Sequence, residues 1–516
     1  MKALALWEVS RKQDYIFASN KLKENRGASI IIEEIIEELP KSINKGYENN
    51  VVYNGGGNSL YKFDDLSKAK EFIKDISEEV IGRYPGIQLF MTALEYDEKK
   101  DKVTDKVSYI HQKLNIKKNR RANSGLQVSF GIEIPCESTK LPASFCDKDE
   151  EHRYISPEIK EKQNIDTSHK NSKKFKRLIP EGYKPIREFD DLAKKENKSY
   201  LAVVHIDGNQ MGKKLIKLKE YFEPKYSGDD FTQVNEDYLQ ALKEFSSQIK
   251  DAYENSFIEM TKTIEENKEE LKDITNIEGN KFPVIPIIVA GDDITYITNG
   301  KIGIESARIF LEYLNRECIE IYGGGKVKLN ACAGVAIAKV SHPFANTYRL
   351  AEDLCNNAKR KLAKEYSNRD FSLVDWHIEQ GDLLGSISEI REKYYKSLDG
   401  YDLCMRPLYL NNEEENCWTS YKNFMMAFND ITNKRIYEDK IARNKIKGLR
   451  DVFAKGKKDT EIYLKSNGIE NFFSGFWNVK VDYCFTDKCC VYSDAVEVMD
   501  LFLKLKEGGR KIHGEI

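Results

Sequence analysis

Two stretches far apart in this chain share one pattern. Val51-Val-Tyr-Asn-Gly-Gly-Gly-Asn-Ser-Leu-Tyr-Lys-Phe63 and Ile287-Ile-Val-Ala-Gly-Asp-Asp-Ile-Thr-Tyr-Ile-Thr298 are each a β-branched or aromatic run, a tight Gly-containing turn and a second such run. That is the signature of a hairpin. Each is preceded by a strand-like run ending on an acid, Ala3 to Glu8 in the first and Leu201 to Asp207 in the second. After the second hairpin the pattern predicts a helix over 304–321, a strand over 327–338, a helix over 344–364 and a further strand over 371–376. Helical periodicity fills the polar stretch from Tyr238 to Leu271 before it. The order is β-α-β-β-α-β, the split βαβ or ferredoxin-like plan. The first half fits more loosely, with strand candidates at 87–94 and 126–134.

The expected fold class is therefore α+β: two ferredoxin-like domains and a helical C-terminal domain. The expected boundaries are 1–140, an insertion and linker over 141–195, 196–380, and 381–516, where amphipathic segments such as Ile441 to Leu464 dominate. A chain of 516 residues accommodates about three domains at roughly 150 residues each. Lys plus Arg is 82 against 84 Asp plus Glu, a net charge of −2, which argues against a polybasic nucleic-acid coat protein. No apolar run approaches the roughly 18 residues that cross a bilayer. The N-terminus meets a charge too early for a signal peptide. Ten cysteines without a CxxC pair point to free thiols in the cytoplasm rather than a disulfide scaffold, and the group Cys484, Cys489 and Cys490 lacks the clamp that zinc favours.

The chemistry concentrates at Ala290-Gly291-Asp292-Asp293. Adjacent carboxylates at the tip of an apolar hairpin repel each other, and a turn does not need them. An ordinary polar turn accounts for the pair taken alone. In this strand order, however, the end of the first strand lies beside the hairpin and brings Asp207 to the same sheet edge. Three carboxylates there suit Mg²⁺ or Mn²⁺, which take oxygen ligands. A pair of ions about 4 Å apart would clamp an in-line phosphoryl displacement, with the Ile206 carbonyl as a further ligand. The loop Gly208-Asn209-Gln210-Met211-Gly212, followed by Lys213 and Lys214, offers backbone N–H groups to a triphosphate; a plain strand-to-helix turn is the alternative.

These motifs resemble the palm polymerase/cyclase family of type III CRISPR large subunits, which makes cyclic oligoadenylates from ATP and is distantly related to the GGDEF-type cyclases. His205-Ile-Asp-Gly-Asn-Gln-Met-Gly212 with Ala290-Gly-Asp-Asp293 resembles the family's catalytic palm. Ala333-Gly-Val-Ala336, Ser341-His-Pro343 and the helix through Ala358 resemble the strand and helix that follow it. By that resemblance Lys359 or Lys361 contacts the triphosphate. Ser10 to Phe17 with Gln13-Asp14, Asn20-Lys21-Leu22, Arg26-Gly27-Ala28-Ser29 and Gly55-Gly-Gly-Asn58 resemble the first, degenerate palm. There Gly57 and Asn58 stand where Asp292 and Asp293 stand, and the resemblance implies an acceptor nucleotide near Gly56, Gly57 and Asn58. AGDD replaces the usual GGDD, and no histidine is followed by Asp, so the family's HD nuclease domain is not expected.

The expectation is a cytoplasmic nucleotidyltransferase of antiviral defence, stand-alone or reduced. It would join NTPs, ATP favoured, into cyclic or short oligonucleotides, with an activating RNA or CRISPR-complex subunits as further partners and no membrane. The competing reading is a scaffold subunit that binds guide RNA. Basic clusters at Lys113, Lys117, Lys118, Arg120 and Arg121, at Lys170, Lys173, Lys174, Lys176 and Arg177, and at Arg443, Lys445, Lys447 and Arg450 are read as solvated faces. Trp7, Trp376, Trp418 and Trp477 are read as core.

Overall fold

The computed structural model describes residues 1–55, 57–120, 131–147, 152–167, 176–193, 200–322, 325–366, 369, 371–381, 385–410, 419–469, 475–476 and 479–506. Two antiparallel hairpins organise two sheets. The first contains β1 (Lys2–Ser10), β2 (Val51–Gly55), β3 (Asn58–Phe63) and β4 (Gln88–Tyr96), in the order β2-β3-β1-β4. The second contains β5 (Tyr200–Gly208), β6 (Val284–Ala290), β7 (Asp293–Asn299), β8 (Ala331–Lys339), β9 (Leu373–Ile378) and β10 (Leu408–Tyr409), in the order β10-β9-β8-β5-β7-β6. Four strands of the second sheet thus repeat the order of the first. β9 adds a parallel neighbour to β8.

The repetition extends to irregularities. The first arm of each hairpin carries a register shift, at Val51/Tyr53 and at Pro286/Ile288. Three residues beyond each strand-end acid, Arg11 and Gln210 both take a left-handed conformation, φ 54°, and start a helix. Few residues other than glycine adopt that conformation, so its recurrence at equivalent positions marks one shared turn design.

Helices complete the layers. In the first half these are α1 (Leu22–Glu33), α2 (Leu66–Arg83), α3 (Val103–Asn119) and α4 (Pro157–Thr167). The second half supplies α5 (Met211–Phe222), α6 (Thr232–Glu266), α7 (Gly303–Leu314) and α8 (Phe344–Glu365). Alternation along β5 divides its side chains. Ala202, Val204 and Ile206 pack in the core built with α6 and α7, while Leu201 and Val203 join the core shared with α8 and the first sheet. The 35-residue α6 spans both halves. Its start, at Tyr238, Leu239 and Leu242, covers Leu4, Leu6 and Leu60, and its later turns, at Tyr253 and Phe257, cover Val204 and Tyr296.

Several expectations shift. The strand candidate at 87–94 is β4 and fills the first sheet's fourth place. Of 126–134, residues 126–130 lie outside the described residues, and 131–134 form no strand, 131–133 being bends. The helix expected to reach 321 stops at Leu314, because the β-branched run after it pairs Cys318–Ile321 with Gly325–Lys328 in a separate ribbon. The strand expected from 327 accordingly starts at Ala331. After 385 helices dominate, at Ile387–Tyr394, Tyr421–Asn429, Arg443–Lys455, Lys457–Ser466 and Ser493–Val498. They share the α6/α7 core through Trp376, Phe424 and Phe453.

Trp7 and Trp376 are buried, as are Cys484, Cys489 and Cys490; Trp418 and Trp477 lie outside the described residues. Several residues of the basic runs make contacts within the fold. Lys113 and Lys117 donate to the Ala93 and Met91 carbonyls. Arg177 pairs with Glu254, and Arg443 and Lys447 pair with Asp500. Arg121, Lys170, Lys173 and Lys174 lie outside the described residues. No helix among the described residues is long and apolar enough to cross a membrane.

Candidate active site

Register sets the site. Asp207, near the end of β5, lies directly opposite Asp293, the first residue of β7. The two therefore share a face of the sheet, where like charges in opposition are destabilising unless something compensates them. Gly291, at φ 63°, takes the first turn position, where a two-residue hairpin favours glycine, and Asp292 takes the second. The Gly208 N–H donates to the Asp292 carbonyl at 3.1 Å and ties strand end to turn. Ala290 lies in β6 without positive φ, so the alanine at this place requires no strain. Ile206 is buried in the sheet between Ala333 and Ile294.

Two lysines compensate the acids. Lys359 on α8 sits 2.6 Å from Asp207 Oδ2 and donates to the Gly208 carbonyl at 3.1 Å. Lys12, from the first half, donates to Asp293 Oδ2 at 2.8 Å. His205, two residues before Asp207 on the same face, bonds Thr295 Oγ1 at 3.0 Å and approaches Asp293 Oδ1 at 3.8 Å. Asp292 has no ion pair among the described residues. Burial, reinforced by Asp207 and Asp293, pushes its carboxyl up to about 6. Burial also acts against ionised Asp293, but Lys12 and His205 outweigh it and hold that carboxyl below its ordinary value. Both lysines are raised despite burial, Lys12 chiefly by Asp293 and Lys359 chiefly by Asp207.

The loop after Asp207 is tightly held. A Cβ on Gly208 would come within 2.6 Å of the Tyr253 hydroxyl and 2.9 Å of Asp292 Cβ. Asn209 is buried and donates to the Phe371 carbonyl at 2.8 Å; Gln210 donates to the Arg369 carbonyl at 3.1 Å. Lys214 folds back onto the Asn209 carbonyl. Met211 packs against the core, whereas Gly212 faces open space at the start of α5.

Of the two alternatives Lys359 and Lys361, Lys359 is the one that meets Asp207. Two residues from Lys359 on a helix, Lys361 points elsewhere, to the Pro407 carbonyl at 2.7 Å and Thr419 Oγ1 at 3.1 Å. Helical geometry of 3.6 residues per turn makes the two lysines alternatives rather than a pair. Gly57 and Asn58 lie on the first hairpin, near Lys12: the Gly57 position, at φ 92°, would bring a Cβ within 3.1 Å of Lys12 Cδ. Gly56 lies outside the described residues. A cleft of about 570 Å³, open solvent included, runs between the two hairpins. Lys12, Asn54, Gly55 and Gly57 line one side, and Ala290 and Gly291 the other.

Three participants were missed from sequence. Lys12 reaches Asp293 from 281 residues away, and no local pattern announces such a contact. Tyr348 and Glu352 flank His205 from α8, Tyr348 edge-on at 5.9 Å; burial raises Glu352, which His205 partly offsets. Their spacing toward Lys359, i, i+4 and i+11, marks one helix face and was the available signal.

The residues suit a hard divalent cation. The donors are carboxylate oxygens, buried Asp293 Oδ1 has no hydrogen bond among the described residues, and burial together with Asp207 and Asp293 raises the Asp292 carboxyl. Among the described residues, however, no group of three or more His, Cys, Asp or Glu is arranged to hold a metal ion.

No family model matches the sequence, and no curated protein does. Solved structures do. The chain is similar to the Csm1-Csm4 cassette in complex with cA4, at 13% identity over 97% of this chain and 69% of that one, with a TM-score of 0.55. It is similar to the Csm1-Csm4 subcomplex of the type III-A CRISPR-Csm interference complex, at 14% over 97% and 69%, TM-score 0.54. Csm1 from T. onnurineus matches at 14% over 96% and 69%, TM-score 0.52. Other cassette structures in this set hold pppApA, AMPPNP and cA3. What this chain shares with Csm1 at such identity is the fold, over nearly its whole length.

Proposed function

We propose that this protein is a metal-dependent nucleotidyltransferase that joins NTPs, ATP favoured, into cyclic or short oligonucleotides with release of pyrophosphate. Both sheets are read as ferredoxin-like palms, the second catalytic. The observation that carries the reading is the cross-strand opposition of Asp207 and Asp293, with Asp292 beside them in the turn. Such an arrangement costs stability and has a use only where positive charge is brought in. That Csm1-containing neighbours hold oligoadenylates supports adenine nucleotides as substrate, and that they contain Csm4 supports CRISPR-complex subunits as partners.

Asp207, Asp292 and Asp293, with the Ile206 carbonyl, would hold Mg²⁺ or Mn²⁺. Bound there, the cations would activate an acceptor hydroxyl and neutralise a donor triphosphate. The chain's own part is positioning, which dominates phosphoryl-type transfer. Backbone N–H groups at the start of α5 face the donor phosphates, as helix N-termini favour anions. Lys359 adds charge at the strand end. The cleft between hairpins takes the acceptor, with the glycine turn of the first half against its phosphates. The acceptor oxygen bonds to the α-phosphorus as the bond to pyrophosphate breaks, and the hydroxyl proton leaves to solvent.

The test is turnover of each NTP, singly and mixed, with Mg²⁺ or Mn²⁺, products being identified by mass spectrometry. Asp292→Ala with Asp293→Ala is expected to abolish product while the protein stays folded. Wild-type-like turnover in that double variant would overturn the reading. RNA copurifying with an inactive wild type would favour the scaffold.

A further inference from the structure

Lys12 belongs to one half of the molecule and neutralises an acid of the other. Arg11, held left-handed, ends β1's excursion and places Lys12 at the first position of the short helix Lys12–Ile16. From there the side chain runs along Gly57, whose lack of a Cβ leaves room for the aliphatic stem, and ends on Asp293 Oδ2. Both partners are largely covered, at 16% and 13% exposed. The mutual attraction outweighs the burial of both charges, yet Asp293 Oδ1 is left without a hydrogen bond among the described residues. As a structural clasp the pair is incomplete.

As a counter-ion it is well placed. Lys12 lines the cleft between the hairpins, so its ammonium needs only a rotamer change to leave Asp293 for the space above Gly55 and Gly57. The charge count gives it a reason to move. Unloaded, three carboxylates face two lysines. With two divalent cations added the same cluster carries an excess of positive charge, and an ammonium on Asp293 becomes repulsive. Glu33 and Glu37 also line the cleft, where Arg177 and Lys250 pair with them, and a nucleotide phosphate bound there is an anion that Lys12 can take in place of Asp293.

Resting on the nucleotidyl-transfer reading and extending it, we propose that Lys12 is an exchangeable counter-ion. It occupies Asp293 while the acids are unloaded, and turns into the cleft to bind a phosphate oxygen of the acceptor nucleotide once Asp293 ligates a divalent cation. Binding of cation and binding of nucleotide are thereby coupled across the two halves, with opposite dependence on one side chain.

The opposite signs make the test. Mn²⁺ affinity without nucleotide is measured by calorimetry, and α,β-methylene-ATP affinity at saturating Mn²⁺ by the same method, for wild type, Lys12→Met and Lys12→Arg. Lys12→Met is expected to bind Mn²⁺ about tenfold more tightly, having lost the competitor, and the analogue about tenfold more weakly, each a change of about 1.4 kcal/mol. Lys12→Arg, which keeps the charge, is expected to match wild type within threefold in both, and it stands in should the Met variant fail to fold: tighter Mn²⁺ binding by the Arg variant would overturn the proposal. A parallel loss of both affinities in Lys12→Met would mark a structural residue, and tighter Mn²⁺ binding with unchanged nucleotide affinity a bare counter-ion; either overturns it. Wild type that binds both ligands, with Lys12→Met indistinguishable from it, overturns this proposal alone. Wild type that binds neither overturns the nucleotidyl-transfer reading as well.

Discussion

In each half a central strand carries an acid near its end, Glu8 or Asp207, directly opposite the first residue of the hairpin's second strand, Asn58 or Asp293. In each half a lysine on the helix following the fourth strand meets that acid at 2.6 Å, Lys118 on Glu8 and Lys359 on Asp207. Register, turn and counter-ion are therefore common to both. What differs is the hairpin: Gly57-Asn58 in one and Asp292-Asp293 in the other. The shared parts belong to the architecture, and the two added carboxylates are what the second half carries beyond it. The lesson is that the lysine–acid pair alone is no evidence of catalysis, since the half without the second acid keeps it.

The largest expected effect comes from making the second half read like the first. Asp293→Asn reproduces Asn58 at its equivalent place and is expected to lower turnover by about 10²–10³-fold, the scale for loss of one charge-stabilising group at a reacting centre. Glu8→Gln, its counterpart in the first half, is expected to stay within about twofold of wild type, far below that 10²-fold floor. Equal losses in steady-state product formation would break the comparison.

Packing sharpens it next. At Gly334 on β8 an added Cβ would come within 2.0 Å of the Ala351 carbonyl and 2.4 Å of the Cys355 N–H, so α8 lies against bare backbone there. The equivalent place on β4 is Thr92, opposite Leu6 as Gly334 is opposite His205. Gly334→Ala is expected to cost about 2 kcal/mol by overpacking and to displace Lys359, whereas Thr92→Ala is expected to cost under about 1 kcal/mol. Chemical denaturation measures both, and a tolerated Gly334→Ala would show α8 free to shift.

Charge gives a smaller effect with a definite sign. Asp292 is raised to about 6, so its ionised form is disfavoured in the folded state. The cost is absent below the unfolded value near about 3.9, grows as pH rises through 6, and is complete above it. In metal-free protein Asp292→Asn should therefore raise stability at pH 8 by roughly 1–2 kcal/mol, discounted because Asp292 is only partly buried, and leave it unchanged near pH 4. No stabilisation at pH 8 in paired thermal melts would contradict the crowding inferred from the opposed strands.

Much of this was legible in the sequence, for reasons that particular residues make plain. Alternation and Gly turns located both hairpins, and adjacent Asp292 and Asp293 stood out because nothing in a turn calls for them. The strand-end Asp207 followed from the strand order. What was not legible depends on three-dimensional neighbours. Lys12 and Asp293 share no local pattern. Lys359 and Lys361 were indistinguishable until the helix phase set one on the acid and the other on Pro407. The ribbon at 318–328 read as helix and strand because short β-branched runs fit both periods.

The smallest effect isolates the lysines. Lys118 and Glu8 are each about a quarter exposed, and a pair so placed contributes little once side-chain entropy is counted. Lys118→Met is expected to cost about 0.5 kcal/mol in urea denaturation and to leave product formation unchanged. Lys359→Met, with the same distance to its acid, should cost similarly little in stability yet lower turnover, because its ammonium also sits on the Gly208 carbonyl, where the loop after Asp207 begins. Equal lysine–acid distances with divergent kinetics would confirm that the surroundings of the second half's pair, rather than the pair itself, give that half its chemistry. A turnover loss in Lys118→Met would instead mean that the first half's acid belongs to the acceptor site, and the division of labour between the halves would have to be redrawn.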